Sequence, residues 1–115
     1  MHQFERQKRQ RLAQLLCELE EELLVLKLWK KNRPTEKALA SVEPFAIDTL
    51  SFPEWLQFIF IEKISNLLQL GLTLPTAMAI APMATEYFKM QTIKSDTLII
   101  LIKRIDLVIN EKSKC

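Results

Sequence analysis

The stretch PFAIDTLSFPEWLQ, residues 44–57, decides how the rest of the chain is read. Its second half is a helix start. Ser51 and Glu54 stand at capping-box spacing, where the serine hydroxyl accepts from the glutamate amide and the carboxylate accepts from the serine amide. Pro53 suits the first helical turn, where its missing N–H costs nothing. The first half is a connection, because Pro44 disfavours helical backbone at Glu43. The helix opened at Ser51 then runs to about Leu70, and Gly71, the single glycine of the chain, is its C-terminal stop. Leu56, Phe60, Ile64 and Leu67 form its inward stripe, widened by Ile59, Ile61 and Leu68. Glu62, Ser65, Asn66 and Gln69 form the opposite stripe, yet its N-terminal continuation is Trp55 and Phe58. Two large aromatics on a wet face need a cover. The spacing predicts that Phe45, Ile47, Leu50 and Phe52 fold back over them as a clasp.

Upstream, Leu12, Leu16, Leu19, Leu23 and Leu26 alternate steps of four and three, the seam of a helix that packs on another helix. Towards Trp29 the apolar residues Leu24, Val25 and Leu28 occupy other faces, so the second half of that helix is expected to be enclosed by several neighbours. Lys27, Lys30, Lys31 and Arg33, favourable near a helix C-terminus, mark its end, followed by Pro34. Residues 1–11 read as a flexible basic N-terminus. Glu18 lies three and four residues from Glu21 and Glu22, a like-charge arrangement that costs a few tenths of a kcal/mol per pair. An antiparallel copy of the helix, Lys103 and Arg104 of the last helix, or plain solvent are the candidates to face them. Between this helix and the clasp, residues 35–50 read as a connection with one helical turn.

Downstream, Pro75 is expected to start a short helix whose Ala77, Ala79, Ala81 and Ala84 allow close backbone approach. Pro82 kinks it or begins a new turn. Residues 89–94 read as a turn. Ser95 or Asp96 caps a last helix with the stripe Leu98, Leu101, Ile102, Ile105 and Ile109. The pattern is all-α, a single-domain bundle of four to five helices over residues 1–115.

Composition narrows the function classes. A chain of 115 residues with 49% hydrophobic content builds one core and is not a charge-dominated disordered chain. One glycine leaves no Gly-rich phosphate loop. A net charge of +2 implies neither nucleic acid nor membrane by itself. The uncharged run from Ile64 to Thr85 has the length of a membrane span, ~20 residues, but Gly71, Pro75 and Pro82 interrupt it. The charged N-terminal end reads as no signal peptide, and Cys17 and Cys115 are too few for a disulfide scaffold. Cys17 reads as a small core or near-core residue. The chain is expected to be cytoplasmic, with no membrane partner.

PF..DT....EWLQ, with WKKNRP before it (residues 29–34) and LP.A.A.AP after it (residues 74–82), resembles the YqcC-like family of small bacterial proteins. The matching residues include Trp29, Pro34, Pro44, Phe45, Asp48, Thr49, Leu74, Pro75 and Pro82, so the likeness reaches most of the chain apart from its ends. The resemblance implies an all-helical bundle without an established activity. It also brings a context, since genes of this family commonly neighbour one for a tRNA pseudouridine synthase.

Little in the sequence carries chemistry. His2 is the only histidine, so no zinc-type or carboxylate-bridged metal site is expected, and no cofactor. Cys17 lacks a histidine partner. Asp48 and Glu54 are the best acid–base candidates, but a turn role for Asp48 and Thr49 and a cap role for Glu54 account for them better. No catalytic residue is assigned, and the chain is not read as an enzyme. The candidate binding or clasp region is Phe45, Asp48, Thr49, Glu54, Trp55 and Phe58. Arg6, Arg9, Arg11, Lys30, Lys31 and Arg33 are the candidate contacts to RNA phosphates. The leading expectation is a non-catalytic helical protein that binds a protein partner or itself. The alternative is an accessory factor for tRNA modification that touches RNA through those basic residues.

Overall fold

The computed structural model describes residues 2–112. Helix α1 (His2–Val25) is followed by the single turn α2 (Glu36–Leu39), capped by the Thr35 hydroxyl, and by a 3-10 turn at Pro44–Ala46. A continuous helical rod comes next, composed of α3 (Phe52–Trp55), a π turn (Leu56–Ile61) and α4 (Glu62–Gln69). Helices α5 (Ala81–Lys89) and α6 (Asp96–Asn110) complete the chain. The all-helical expectation is borne out.

The leucine seam explains the arrangement. Leu12, Leu19 and Leu23 are wholly buried and Leu16 nearly so, packed with Leu56, Phe60 and Ile64 of the rod and with Leu98, Ile102, Ile105 and Ile109 of α6. Each fully buried side chain of this kind stabilises the fold by ~1.5–3 kcal/mol relative to exposure. With 24 residues at ~1.5 Å each, α1 accounts for most of the 43 Å long axis. It runs antiparallel to α6, because Lys8 and Arg11 meet Ile109 and Glu111 while Glu22 and Val25 lie beside Thr97 and Ile100.

Residues 2–11, expected as a flexible tail, are the first turns of α1. Lys8 extends the leucine seam by one step and is itself buried. Its ammonium donates to the Ile109 carbonyl at 3.0 Å and the Glu111 carbonyl at 3.2 Å. These are carbonyls that the end of α6 leaves without helical partners, at the negative end of its dipole.

The end of α1 comes earlier than the basic cluster suggests. Lys27 adopts φ 61°, with its N–H bonded to the Leu24 carbonyl at 3.0 Å, and Leu28 N–H bonds to the Leu23 carbonyl at 2.8 Å. This is a Schellman turn with lysine where glycine is usual. Leu28 and Trp29 then turn back onto the core. Leu24 and Val25 are left 51% and 71% exposed, so the many-sided enclosure expected for this half of the helix is not formed. Cys17, expected in or beside the core, is exposed as well. It follows Leu16 by one residue, a ~100° step that carries it off the buried stripe.

The rod ends as anticipated, with Gly71 at φ 67° and Leu72 N–H bonded to the Leu67 carbonyl at 2.9 Å. No helix starts at Pro75. Residues 72–80 are irregular, Ala77 and Ala79 are exposed, and Pro82 opens α5, whose Ala81 and Ala84 are the small residues that are buried. The start is set from a distance. The Asp106 carboxylate on α6 accepts from Ile80 N–H at 2.9 Å and Ala81 N–H at 2.8 Å, filling the role of an N-cap that the local sequence lacks. The uncharged run is thus divided between α4, the Gly71 turn, the irregular segment and α5. Among the described residues no helix is long and apolar enough to cross a membrane.

Lys27 predicts its own test. An L-residue in the left-handed region costs ~1 kcal/mol or more that glycine avoids. Lys27→Gly is therefore expected to raise the thermal midpoint by a few degrees. A lowered midpoint would mean that the lysine side chain holds more than its backbone costs.

Candidate functional site

The clasp region forms one aromatic chain. The Phe45 and Trp55 rings meet edge-on with centroids 4.8 Å apart, and Phe52 stacks on Trp55 at 6.1 Å. Trp55 in turn stacks on Phe60 at 5.7 Å, and Phe52 reaches Tyr87 and Phe88 of α5 at 5.9 and 6.1 Å. To swing its ring over Trp55, the connection takes left-handed backbone at two successive residues, Phe45 (φ 56°) and Ala46 (φ 49°). Ala46 is buried, and its carbonyl accepts from Leu50 N–H at 2.8 Å, which secures the bend. Leu50 is buried beneath, but Ile47, expected in the cover, is 62% exposed.

Phe58 is covered by a different segment. The Arg33 guanidinium lies over its ring, 5.9 Å from the centroid, and pairs with Glu62 at 2.6 Å. Beside it the buried Gln57 amide clamps the backbone of one residue in the segment after α1. Lys30 N–H donates to Gln57 Oε1 at 2.9 Å, and Gln57 Nε2 donates to the Lys30 carbonyl at 2.8 Å. The π turn accounts for this crowding. By widening the helix it buries Leu56, Gln57, Phe58, Phe60 and Ile61 together, more than an α-helical stripe admits. A 3.6-residue period cannot foresee it. The one available signal was an amide placed between Leu56 and Phe58.

The two acids with a claim to chemistry find separate partners. Asp48 is exposed and accepts from the Ser41 hydroxyl, while Thr49 donates to the Ala38 carbonyl at 2.6 Å. A turn role was expected for Asp48; its partner is the Ser41 side chain, and the link ties the connection to the end of α2. Glu54 completes the predicted capping box, accepting from Ser51 N–H at 2.8 Å while Ser51 Oγ accepts from Glu54 N–H at 3.3 Å. The Ser51 amide holds this carboxyl below its ordinary value, and the Ser51 side chain and nearby Lys30 act in the same direction.

Of the basic candidates, Arg11 pairs with Glu111, Arg33 with Glu62, and Lys30 with Glu54 at 3.6 Å. Arg9 reaches Glu5 and the carbonyls of Leu67 and Leu72. Arg6 and Lys31 are exposed without an ion pair among the described residues. These cations are therefore spread over several faces, most of them beside a carboxylate. Among the described residues no three acids, cysteines or histidines gather in a way that would hold a metal ion.

Clefts flank α1 instead. On its rod side, Cys17, Glu20, Ile61 and Leu68 line one of about 420 Å³. On its α6 side run two more, of about 400 and 420 Å³, which share Glu18 and Arg104. Arg104 is thus a basic residue of the last helix that lines a cleft with the acidic cluster, though neither Glu18, Glu21 nor Glu22 forms an ion pair among the described residues.

Residues 11–108 match the model of a family described as tRNA pseudouridine synthase C. An uncharacterized protein of Haemophilus influenzae is 41% identical over 83 residues, which are 72% of this chain and 74% of that protein. A tRNA pseudouridine synthase C of Pectobacterium carotovorum is 38% identical over 64 residues, which are 56% of this chain but 17% of that protein. The solution NMR structure of protein YqcC from Escherichia coli superposes with a TM-score of 0.75 at 25% identity, covering 94% of this chain and 92% of that one.

The capping box makes a pH-dependent contribution. Because the folded Glu54 titrates below its unfolded value of ~4.3, its stabilisation is present above that pH and is lost as pH falls through the folded value. Glu54→Gln is expected to be less stable than the parent near neutrality, with the gap narrowing on acidification. Parallel stability–pH curves for the two proteins would refute the assignment.

Proposed function

The chain belongs to the YqcC-like family, and from that premise we propose that it is a non-catalytic helical module whose partner is a tRNA pseudouridine synthase. One observation carries the reading. A stretch similar to this chain makes up 17% of a protein named tRNA pseudouridine synthase C, with most of that protein's length lying outside the match. Joining two units in one polypeptide raises their effective concentration for each other, often to the millimolar range. A separate chain of the same family reaches the same end through a binding surface.

The site geometry supports a role without chemistry. Glu54 is committed to a helix cap, Asp48 to a serine on an exposed connection, and the aromatics around them to one another. Protein rather than RNA is supported as the partner by the placement of the cations. Counterion release from nucleic acid needs several unneutralised charges on one surface, and Arg11, Lys30 and Arg33 each face a carboxylate.

The test mixes this chain with the tRNA pseudouridine synthase of the same organism and follows co-elution before and after nuclease treatment. A nuclease-resistant complex is expected. Two separate peaks, with tRNA retarded by this chain alone and released steeply by salt, would replace the protein partner with RNA.

A further inference from the structure

The groove between α1 and α6 has an order along its length that the clasp region lacks. On the α6 side its wall is Thr97, Ile100, Arg104 and Leu107, with the C-cap residue Glu111 after them, at alternating steps of three and four. On α1, Arg11, Glu18 and Val25 repeat at seven. Both are the seam of a helix waiting for a neighbour. The apolar members are exposed: Val25 71%, Ile100 49% and Leu107 69%. Leu15, Leu101 and Val108 form the floor. Arg104 and Glu18 stand at the middle, common to both halves of the groove. The half beyond Leu107 is closed by the Arg11–Glu111 pair, and the half beyond Ile100 by Glu21 and Glu22.

We propose that a second copy of this chain occupies the groove, with a two-fold axis passing beside Arg104 and Glu18. The commitment rests on complementarity of the groove with itself. In an isologous contact each residue of one subunit meets the counterpart of its own partner residue. A two-fold at that point sets Ile100 against Leu107 of the other copy, and Leu107 against its Ile100. It leaves each Arg104 beside its counterpart at the axis and diagonally across from the other copy's Glu18, and turns the Arg11 end of one α1 towards the Glu21–Glu22 end of the other. The acidic cluster then gains the cations it lacks within its own chain, and α1 and α6 of both copies form an antiparallel four-helix layer. The inference is independent of whether a synthase binds.

Sedimentation equilibrium of the full chain from micromolar concentration upward decides it. A dimer is expected. Leu107→Lys should weaken it by at least about tenfold, since a leucine that is buried twice per dimer is replaced by a charge. Leu107 is solvent-exposed in the single chain and lysine is a good helix former, so helix content by circular dichroism should not change. Arg104→Glu should also weaken the dimer, and adding Glu18→Arg to it should restore association. A chain that stays monomeric throughout overturns the proposal. So does a dimer indifferent to Leu107→Lys, or one that the charge exchange fails to restore.

Discussion

Burial of the α1 leucine seam is the constraint on which the rest depends. Leu12, Leu16, Leu19 and Leu23 are the shared surface of two neighbours that meet through them, the rod containing α4 on one side and α6 on the other. A helix that serves two neighbours at once leaves its remaining face to solvent, which is why its outer side is mostly glutamine, glutamate and arginine. Lys8 closes the seam with a polar lock. Burying an ammonium costs several kcal/mol unless it is paired or hydrogen-bonded, and the free carbonyls at the end of α6 supply the acceptors. The same residue therefore fixes the register of α1 against α6 along their length.

The segments between helices are held by single polar side chains reaching from regular structure. Gln57 takes the backbone N–H and C=O of Lys30, Asp106 caps α5, and Asn110 takes the backbone N–H and C=O of Met78. Irregular backbone must find partners for its amides and carbonyls when it lies against a core. Here they come from the rod and from α6, so the loops follow wherever the helices dock. The aromatic clasp belongs to the same scheme. Two left-handed residues are tolerated at Phe45 and Ala46 because the ring they deliver is enclosed between Phe52 and Trp55.

This division has a functional consequence. The region densest in aromatics is occupied with its own packing, whereas the flanks of α1 carry clefts, exposed leucine and isoleucine, and acids without ion pairs among the described residues. Chemistry needs a residue released from structural duty, and interaction needs a surface that folding has left uncovered. The second condition is met along α1 and α6.

Periodicity alone determined the body of α1, the rod and α6, because apolar residues at three- and four-residue steps have one regular structure that buries them together. The capping box at Ser51, the stop at Gly71 and the stripe of α6 were legible for the same reason, each being a local matter of backbone groups and near neighbours. What the tertiary structure decided was everything that a distant residue had to supply. The start of α5 waits on Asp106, the cover of Phe58 on Arg33, and the order of the first turns on Lys8 meeting the end of α6. The exposure of Cys17 and Val25 likewise follows from which faces the neighbours cover. A linear pattern states which side chains seek burial; only the docked helices determine which of them obtain it.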